Sequence, residues 1–374
     1  MSRAAVGATV VKLPSVRSSS SGAVARTLGL TAAQVTAVRK ASSAGKMAFR
    51  VGSGSTARCG VFTVIPKPPV VGPTINVGAL PSDVVVTPGG VFVTNWLDDT
   101  LSKIDPASNR VLASIPLDIG GNAGPEAIAY GDGALWVTVT GDAGSLLRVD
   151  PATGQTVATF PMGSPAAVAT SPGAVWVTSH LGGTVTRVDP VTNSVSATIM
   201  LEPGLWGLAY GEGAIWVANP ERDTVSRIDP ATNAVTATIS DIDAPVGVAV
   251  GARSVWVTNW GTTGQPGGMV SRIDPLTNRV TRTIPVGTNP GRMAFGGGYL
   301  WVALQGASLV QVDPATNAVK ARVTIGPVVA EDDGHNTYRK RGVAATDSSV
   351  WAVQPYPKSS DTVAPPGTLV RVHY

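Results

Sequence analysis

The chain has 374 residues, of which 14% are charged and 5% aromatic, and Gly and Pro together number 72. A single cysteine, Cys59, excludes an intrachain disulfide and a thiolate metal site, and no stretch is long and apolar enough to span a membrane as a helix. The formal net charge of +4 is unevenly spread: ten of the 28 Lys and Arg precede residue 71 and none of the 24 Asp and Glu does, so the body is mildly acidic and lacks a basic stripe that would follow a nucleic-acid backbone.

Residues 1–70 form a Ser-, Ala-, Gly- and Arg-rich tail, with SSSSG at 18–22. Its expected state is a mostly disordered extension. An acid-poor, Arg- and Ser-rich leader is also the composition of a targeting segment, which leaves the compartment open between extracytoplasmic and organellar destinations. TAAQVTAVRKA at 31–41 has the pattern of a short helix.

From residue 71 the chain repeats itself. VFVTN at 91, LWVTV at 135, VWVTS at 175, IWVAN at 215, VWVTN at 255, LWVAL at 300 and VWAVQ at 350 are seven copies of one strand, centred on Phe92, Trp136, Trp176, Trp216, Trp256, Trp301 and Trp351. In the clearest unit VGVAV (246–250), SVWVTN (254–259), MVSRID (269–274) and RVTRTI (279–284) alternate β-branched and polar residues between Gly, Pro and Asn turns. That is a four-stranded antiparallel meander. A small sheet cannot cover its own faces, whereas seven arranged radially cover one another, so the sequence predicts an all-β, seven-bladed β-propeller over 71–374.

Two repeated features have structural explanations. The DP-x-TN turn, as in Asp229, Pro230, Thr232 and Asn233, uses Asp to accept backbone amides, Pro to preset φ and Asn to adopt the left-handed conformation. The large residue of each second strand is the natural wedge between neighbouring blades. The seventh unit ends at TLVRVHY (368–374) without a fourth strand, while PTINVG (73–78) resembles the end of a normal unit. The N-terminal segment is therefore expected to complete the last blade and remove its open edge.

The units VWVTN…TVSRIDPATNAVTATI resemble YVTN-type seven-bladed propellers and, more distantly, the virginiamycin B lyase (streptogramin lyase) family, over about residues 72–374. The lyase resemblance implies a magnesium site at the mouth of the channel, with histidines directly after the proline that opens an inner strand and glutamates near the end of the second. Here the first column reads Ser82, Glu126, Ala166, Trp206, Val246, Gly291 and Arg341, and the second reads Asn95, Val139, Ser179, Asn219, Asn259, Leu304 and Gln354. The histidines and the glutamates of that site are missing from their columns.

Function is therefore sought in what breaks the repeat on the face shared by the inner-strand starts and the loops after the second strands. Trp96, Trp206 and Trp260 fall there, suited either to contact a ligand or to plug the channel. Asp83, Glu126, Glu202 and Arg292 are the polar exceptions, with Asp98, Asp99, Glu221 and Arg222 in the adjoining loops. His180, in SHLGG, faces the same way and is a weak candidate base. The segment EDDGHNTYRKR at 331–341 leads into the last inner strand, as a lid over the mouth. Glu331, Asp332, Asp333 and His335 are hard-cation ligand types, for Mg or Ca, and Arg341 is a group for an anion.

The expectation is thus a monomeric scaffold without a demonstrable catalytic motif, holding a small molecule, glycan or peptide at the mouth through Trp96, Trp206, Trp260, Asp83, Glu126, Arg292 and Arg341. No cofactor is required by that reading. The alternative is a metal-dependent lyase whose site has moved to the lid, with His335 as candidate catalytic group.

Overall fold

A computed structural model of the chain describes residues 46–51, 58–63, 68–120, 123–141, 144–261, 268–326, 342–354 and 367–374. The chain divides into two units, Met1–Val70 together with Tyr374, and Val71–His373. Within the first, Lys46–Val51 and Arg58–Thr63 pair as an antiparallel hairpin with Arg50 opposite Cys59. The composition of the tail gave no sign of that hairpin, and the helix pattern at 31–41 lies outside the described residues. Among the described residues no helix is long and apolar enough to cross a membrane.

The second unit holds seven four-stranded antiparallel sheets. Blade 1 comprises Pro81–Thr87, Gly90–Asn95, Thr100–Asp105 and Arg110–Pro116, from the axis outward, and blades 2 to 6 follow in the same order along the chain. Blade 7 takes its three inner strands, Val343–Ala345, Ser349–Val353 and Thr368–His373, from the C-terminus and its outermost strand, Val70–Asn76, from the start of the propeller. The ring is closed as the sequence predicts. Innermost strands touch their neighbours all the way round, and blade 7 meets blade 1.

Packing between blades follows from period-2 alternation. Second strands are buried on both faces, and Phe92 and the six tryptophans in register with it are at most 1% exposed. Each is covered by the next sheet, as Trp256 is by Leu300, Val302 and Val310 of blade 6. Outermost strands are largely exposed apart from one inward residue near their end, such as Ile199 or Ile284.

The DP-x-TN turn behaves as its residues dictate. Asp189 Oδ1 accepts the Val191 amide at 2.7 Å, Asp229 Oδ1 accepts Ala231 at 2.7 Å, and Asn193 and Asn233 adopt φ of 50° and 58°. Those amides hold the Asp189 and Asp274 carboxyls below the ordinary value; for Asp105 the Ser108 hydroxyl contributes most. These aspartates are turn-builders.

A further repeated device joins the blades. The basic residue of the third strand, in SKID, LRVD, TRVD, SRID and VRV, lies flat on its own blade's ring aromatic and reaches the DP-x-TN turn of the next blade. Arg272 sits 4.8 Å from the Trp256 ring centroid and donates Nη1 to Pro314 O at 2.9 Å and to Asn317 Oδ1 at 2.8 Å. Arg148 binds Pro190 O and Asn193, Arg187 binds Asn233, and Arg227 binds Asn278. Lys103 binds Pro151 O, and Arg371 carries the contact from blade 7 to Pro106 O and Asn109 of blade 1. Blade 6 has Gln311 instead. Its neighbour, blade 7, is the one blade whose outer hairpin is replaced by the N-terminal strand, so it has no such turn to hold.

Candidate functional site

Five of the seven innermost strands carry a bulge close to their start. Pro81 pairs with Asn95 and Asp83 with Thr94, so Ser82 is an extra residue, and equivalent register shifts follow Pro125, Pro165, Pro245 and Pro290. A bulge leaves an amide without its ladder partner. The threonine of the VTN motif supplies one: Thr94 Oγ1 accepts the Asp83 amide at 2.9 Å, Thr138 accepts Ala127 at 2.9 Å, Thr178 accepts Ala167 at 3.0 Å and Thr258 accepts Gly247 at 2.8 Å. Thr178 and Thr258 in turn donate to Trp206 O and Gly291 O of the following blade.

The residues that follow Ser82, Glu126, Ala166, Trp206, Val246, Gly291 and Arg341 form a column of their own: Asp83, Ala127, Ala167, Gly207, Gly247, Arg292 and Gly342. Here each strand presses on the next blade. A Cβ at Gly207 would lie 2.1 Å from Val246 O, and one at Gly342 would lie 2.4 Å from the Asp83 Cα. Five of the seven positions are accordingly Ala or Gly. The exceptions are Asp83 in blade 1 and Arg292 in blade 6, on either side of blade 7, and because Gly342 between them has no side chain they meet. Arg292 Nη1 lies 3.0 Å from Asp83 Oδ2.

Asp83 is 4% exposed. Its Oδ1 accepts the amide of Val84 at 2.9 Å and its Oδ2 that of Ile128 in blade 2 at 3.1 Å. Burial pushes its carboxyl above the ordinary value; Arg292 and the two amides pull it back, and the charge of Glu126 pushes it further up. Glu126 is itself buried.

Around this pair is a cavity of about 160 Å³ on the propeller axis, to which all seven blades contribute. Asp83, Trp206 and Arg292 stand in a lining otherwise made of backbone and of Val, Ile, Leu, Ala, Gly and Met side chains. Trp206 meets the His180 imidazole edge-on at 5.1 Å between centroids. His180 Nδ1 lies 3.1 Å from Leu205 O and its Nε2 lies 3.7 Å from Glu221 Oε1, so an acid absent from its sequence neighbourhood arrives from the next blade. Glu202 and Arg222 form an exposed pair at 3.5 Å.

The other aromatics lie elsewhere. Trp96 Nε1 donates to Thr140 Oγ1 at 3.0 Å, and its indole and carbonyl occupy the space a Cβ on Gly124 would need, so it fills the seam between blades 1 and 2. Trp260 is half-buried, tied to Ala244 O through its amide, and is not a lining residue of the cavity. Asp98 caps the Ala79 amide at 2.5 Å, and beside it burial, then the Asp98 charge, raises the Asp99 carboxyl. Glu331, Asp332, Asp333, His335 and Arg341 lie outside the described residues. Among the described residues no group of three or more His, Cys, Asp or Glu could hold a metal ion.

This architecture has a counterpart among solved structures. A structure described as streptogramin B lyase covers 81% of this chain and 97% of its own, with a TM-score of 0.63 and 15% sequence identity. The chain is similar in fold to streptogramin B lyase. In all, 1531 chains of solved structures match, so the likeness speaks for the propeller and not for one chemistry. A family described as "Repeat of unknown function (DUF6923)" matches residues 35–182. No curated protein matches the sequence.

Proposed function

We propose that this protein is a binding module that holds a small ligand in the mouth of its propeller channel. In this reading Trp206 and Arg292 contact the ligand, Asp83 fixes Arg292, and Glu126 is the second carboxylate at the same end. The supporting observation is the Asp83–Arg292 pair inside a column otherwise made of Ala and Gly. A mostly buried ion pair adds little net stability, because desolvation offsets its attraction. Closure of the ring does not need it, and recognition does. The cavity volume of about 160 Å³ accommodates a small molecule or a single side chain or head group, so a peptide or glycan would enter by one group only.

A thermal-shift screen of small metabolites on the full chain tests this. Ligands that raise the melting temperature of the wild type should lose their effect in Trp206→Ala and Arg292→Gln. Hits that stabilise all three proteins equally would place binding elsewhere.

An acid–base reading has one observation in its favour: the His180–Glu221 pair stands against Trp206 at the same mouth. Together with the fold likeness, it keeps elimination chemistry of the streptogramin B lyase kind as the second reading, with His335 and its acidic neighbours as the displaced metal site. One divalent ion that co-purifies stoichiometrically and is lost in His335→Ala would favour it over simple binding.

A further inference from the structure

Resting on the channel-mouth reading, we infer that the ligand is a small organic anion, a carboxylate on a short apolar body, bound by the Arg292 guanidinium while Asp83 acts as the positioning residue. The donor and acceptor inventory of the pair points this way. A guanidinium has five N–H donors, and among the described residues only Nη1 of Arg292 has a partner, Asp83 Oδ2 at 3.0 Å. The Asp83 carboxylate accepts two amides, Val84 N at Oδ1 and Ile128 N at Oδ2, and the Arg292 guanidinium lies against Oδ2. A bound cation would meet a carboxylate that already faces two amides and a guanidinium. A bound anion needs N–H groups that remain, on a side chain one quarter exposed and lining the cavity.

Geometry favours a carboxylate in particular. The guanidinium fork matches its two oxygens, and Asp83 holds that fork by one corner, leaving the rest presented to the cavity. The remaining wall combines backbone polar groups with the apolar side chains of Val84, Ile128, Leu208, Val246, Val248 and Met293, which suit a small apolar body. Dry cavities of about 150 Å³ take up benzene, so a body of roughly that size is the upper limit here.

Asp83 and Glu126 oppose the anion through their own charges. This gives the inference a sign test, because removal of the Asp83 charge should help an anion and harm a cation. Benzoate, benzamide and benzamidine have nearly the same shape and charges of −1, 0 and +1, and their binding to the full chain can be followed by isothermal titration. The expected result is that benzoate binds at least tenfold more tightly than the other two. Asp83→Asn should tighten benzoate about three- to tenfold, and Arg292→Gln should weaken it more than tenfold. If Arg292→Gln fails to fold by circular dichroism, Arg292→Lys, which keeps the charge and loses the fork, should still weaken benzoate about tenfold.

Benzamide or benzamidine binding as tightly as benzoate, unaffected by Arg292→Gln but lost in Trp206→Ala, would overturn the anion inference and leave the channel-mouth reading standing. Benzamidine weakened by Asp83→Asn would identify a cation site and overturn it equally. No binding of any of the three, nor of acetate, butyrate or inorganic phosphate, would remove both.

Discussion

Replacing Arg272 by Met cuts one of the contacts that join the blades while keeping the aliphatic stem. The lost guanidinium makes two charge-assisted hydrogen bonds to the blade 6 turn, at 2.9 and 2.8 Å, one to Ser254 Oγ at 2.8 Å, and a stacking contact with Trp256 at 4.8 Å. Discounted for a side chain that remains partly in solvent, each interblade hydrogen bond contributes about 1 kcal/mol and the cation–π contact about 1 kcal/mol more. The expected loss is about 3 kcal/mol, or a melting temperature lower by roughly 5 °C for a domain of this size. Gln311→Met occupies the same slot in blade 6, where the next blade offers no turn, and should cost less than about 1 kcal/mol. Differential scanning calorimetry on both variants decides the matter, and a double-mutant cycle of Arg272→Met with Asn317→Ala should show coupling of about 1 kcal/mol. Equal destabilisation of the two variants, or none from Arg272→Met, would mean that these contacts do not join the blades.

Gly342→Ala sets a methyl group against the Asp83 backbone at 2.4 Å and should cost about 1–3 kcal/mol, measured by urea unfolding, even though Ala is tolerated at the matching positions 127 and 167. Deleting residues 71–76 strips blade 7 of its outer strand and uncovers Trp351, Val353 and Leu369, which pack with Ile75; the whole propeller, not one blade, should melt earlier. The two classes of aspartate should respond to pH in opposite senses. Asp189, whose carboxyl is held below its unfolded value, stabilises the fold above about pH 4 and loses that contribution as pH falls through its folded value, so the gap between wild type and Asp189→Asn should close in acid. Asp83, whose carboxyl is raised, binds its proton more readily when folded; wild type should therefore gain on Asp83→Asn as pH is lowered from 7 towards 4.

The fold was legible because each unit repeats its own evidence: the VWVTN strand, the DP-x-TN turn and the missing fourth strand of the last unit specify blade count, turn chemistry and closure without any distance. The interblade contact was also written in the sequence, in the basic residue of SRID, and in Gln311 standing where the next blade has no turn. Alternation places that residue opposite the ring aromatic, a relation that periodicity alone does not single out. Asp83 and Arg292 were visible as polar exceptions, yet their pairing was not. It depends on a bulge that shifts the column by one residue and on Gly342, whose missing side chain lets blades 1 and 6 meet across blade 7. Trp96 and Trp260 appeared equivalent to Trp206 because all three interrupt the repeat near one face. Of the three only Trp206 lines the cavity, since it lies at the entry of an innermost strand, whereas Trp96 and Trp260 follow second strands.

The most direct test of a ligand in the channel mouth is fluorine NMR on protein labelled with 5-fluorotryptophan. Trp206 and the six ring tryptophans are assigned by single substitution, and a ligand identified in the thermal screen is then titrated in. The Trp206 resonance should shift in proportion to occupancy while those of Trp136, Trp176, Trp216, Trp256, Trp301 and Trp351 stay in place. A ligand that saturates the protein and leaves the Trp206 resonance unmoved would contradict binding in the channel mouth.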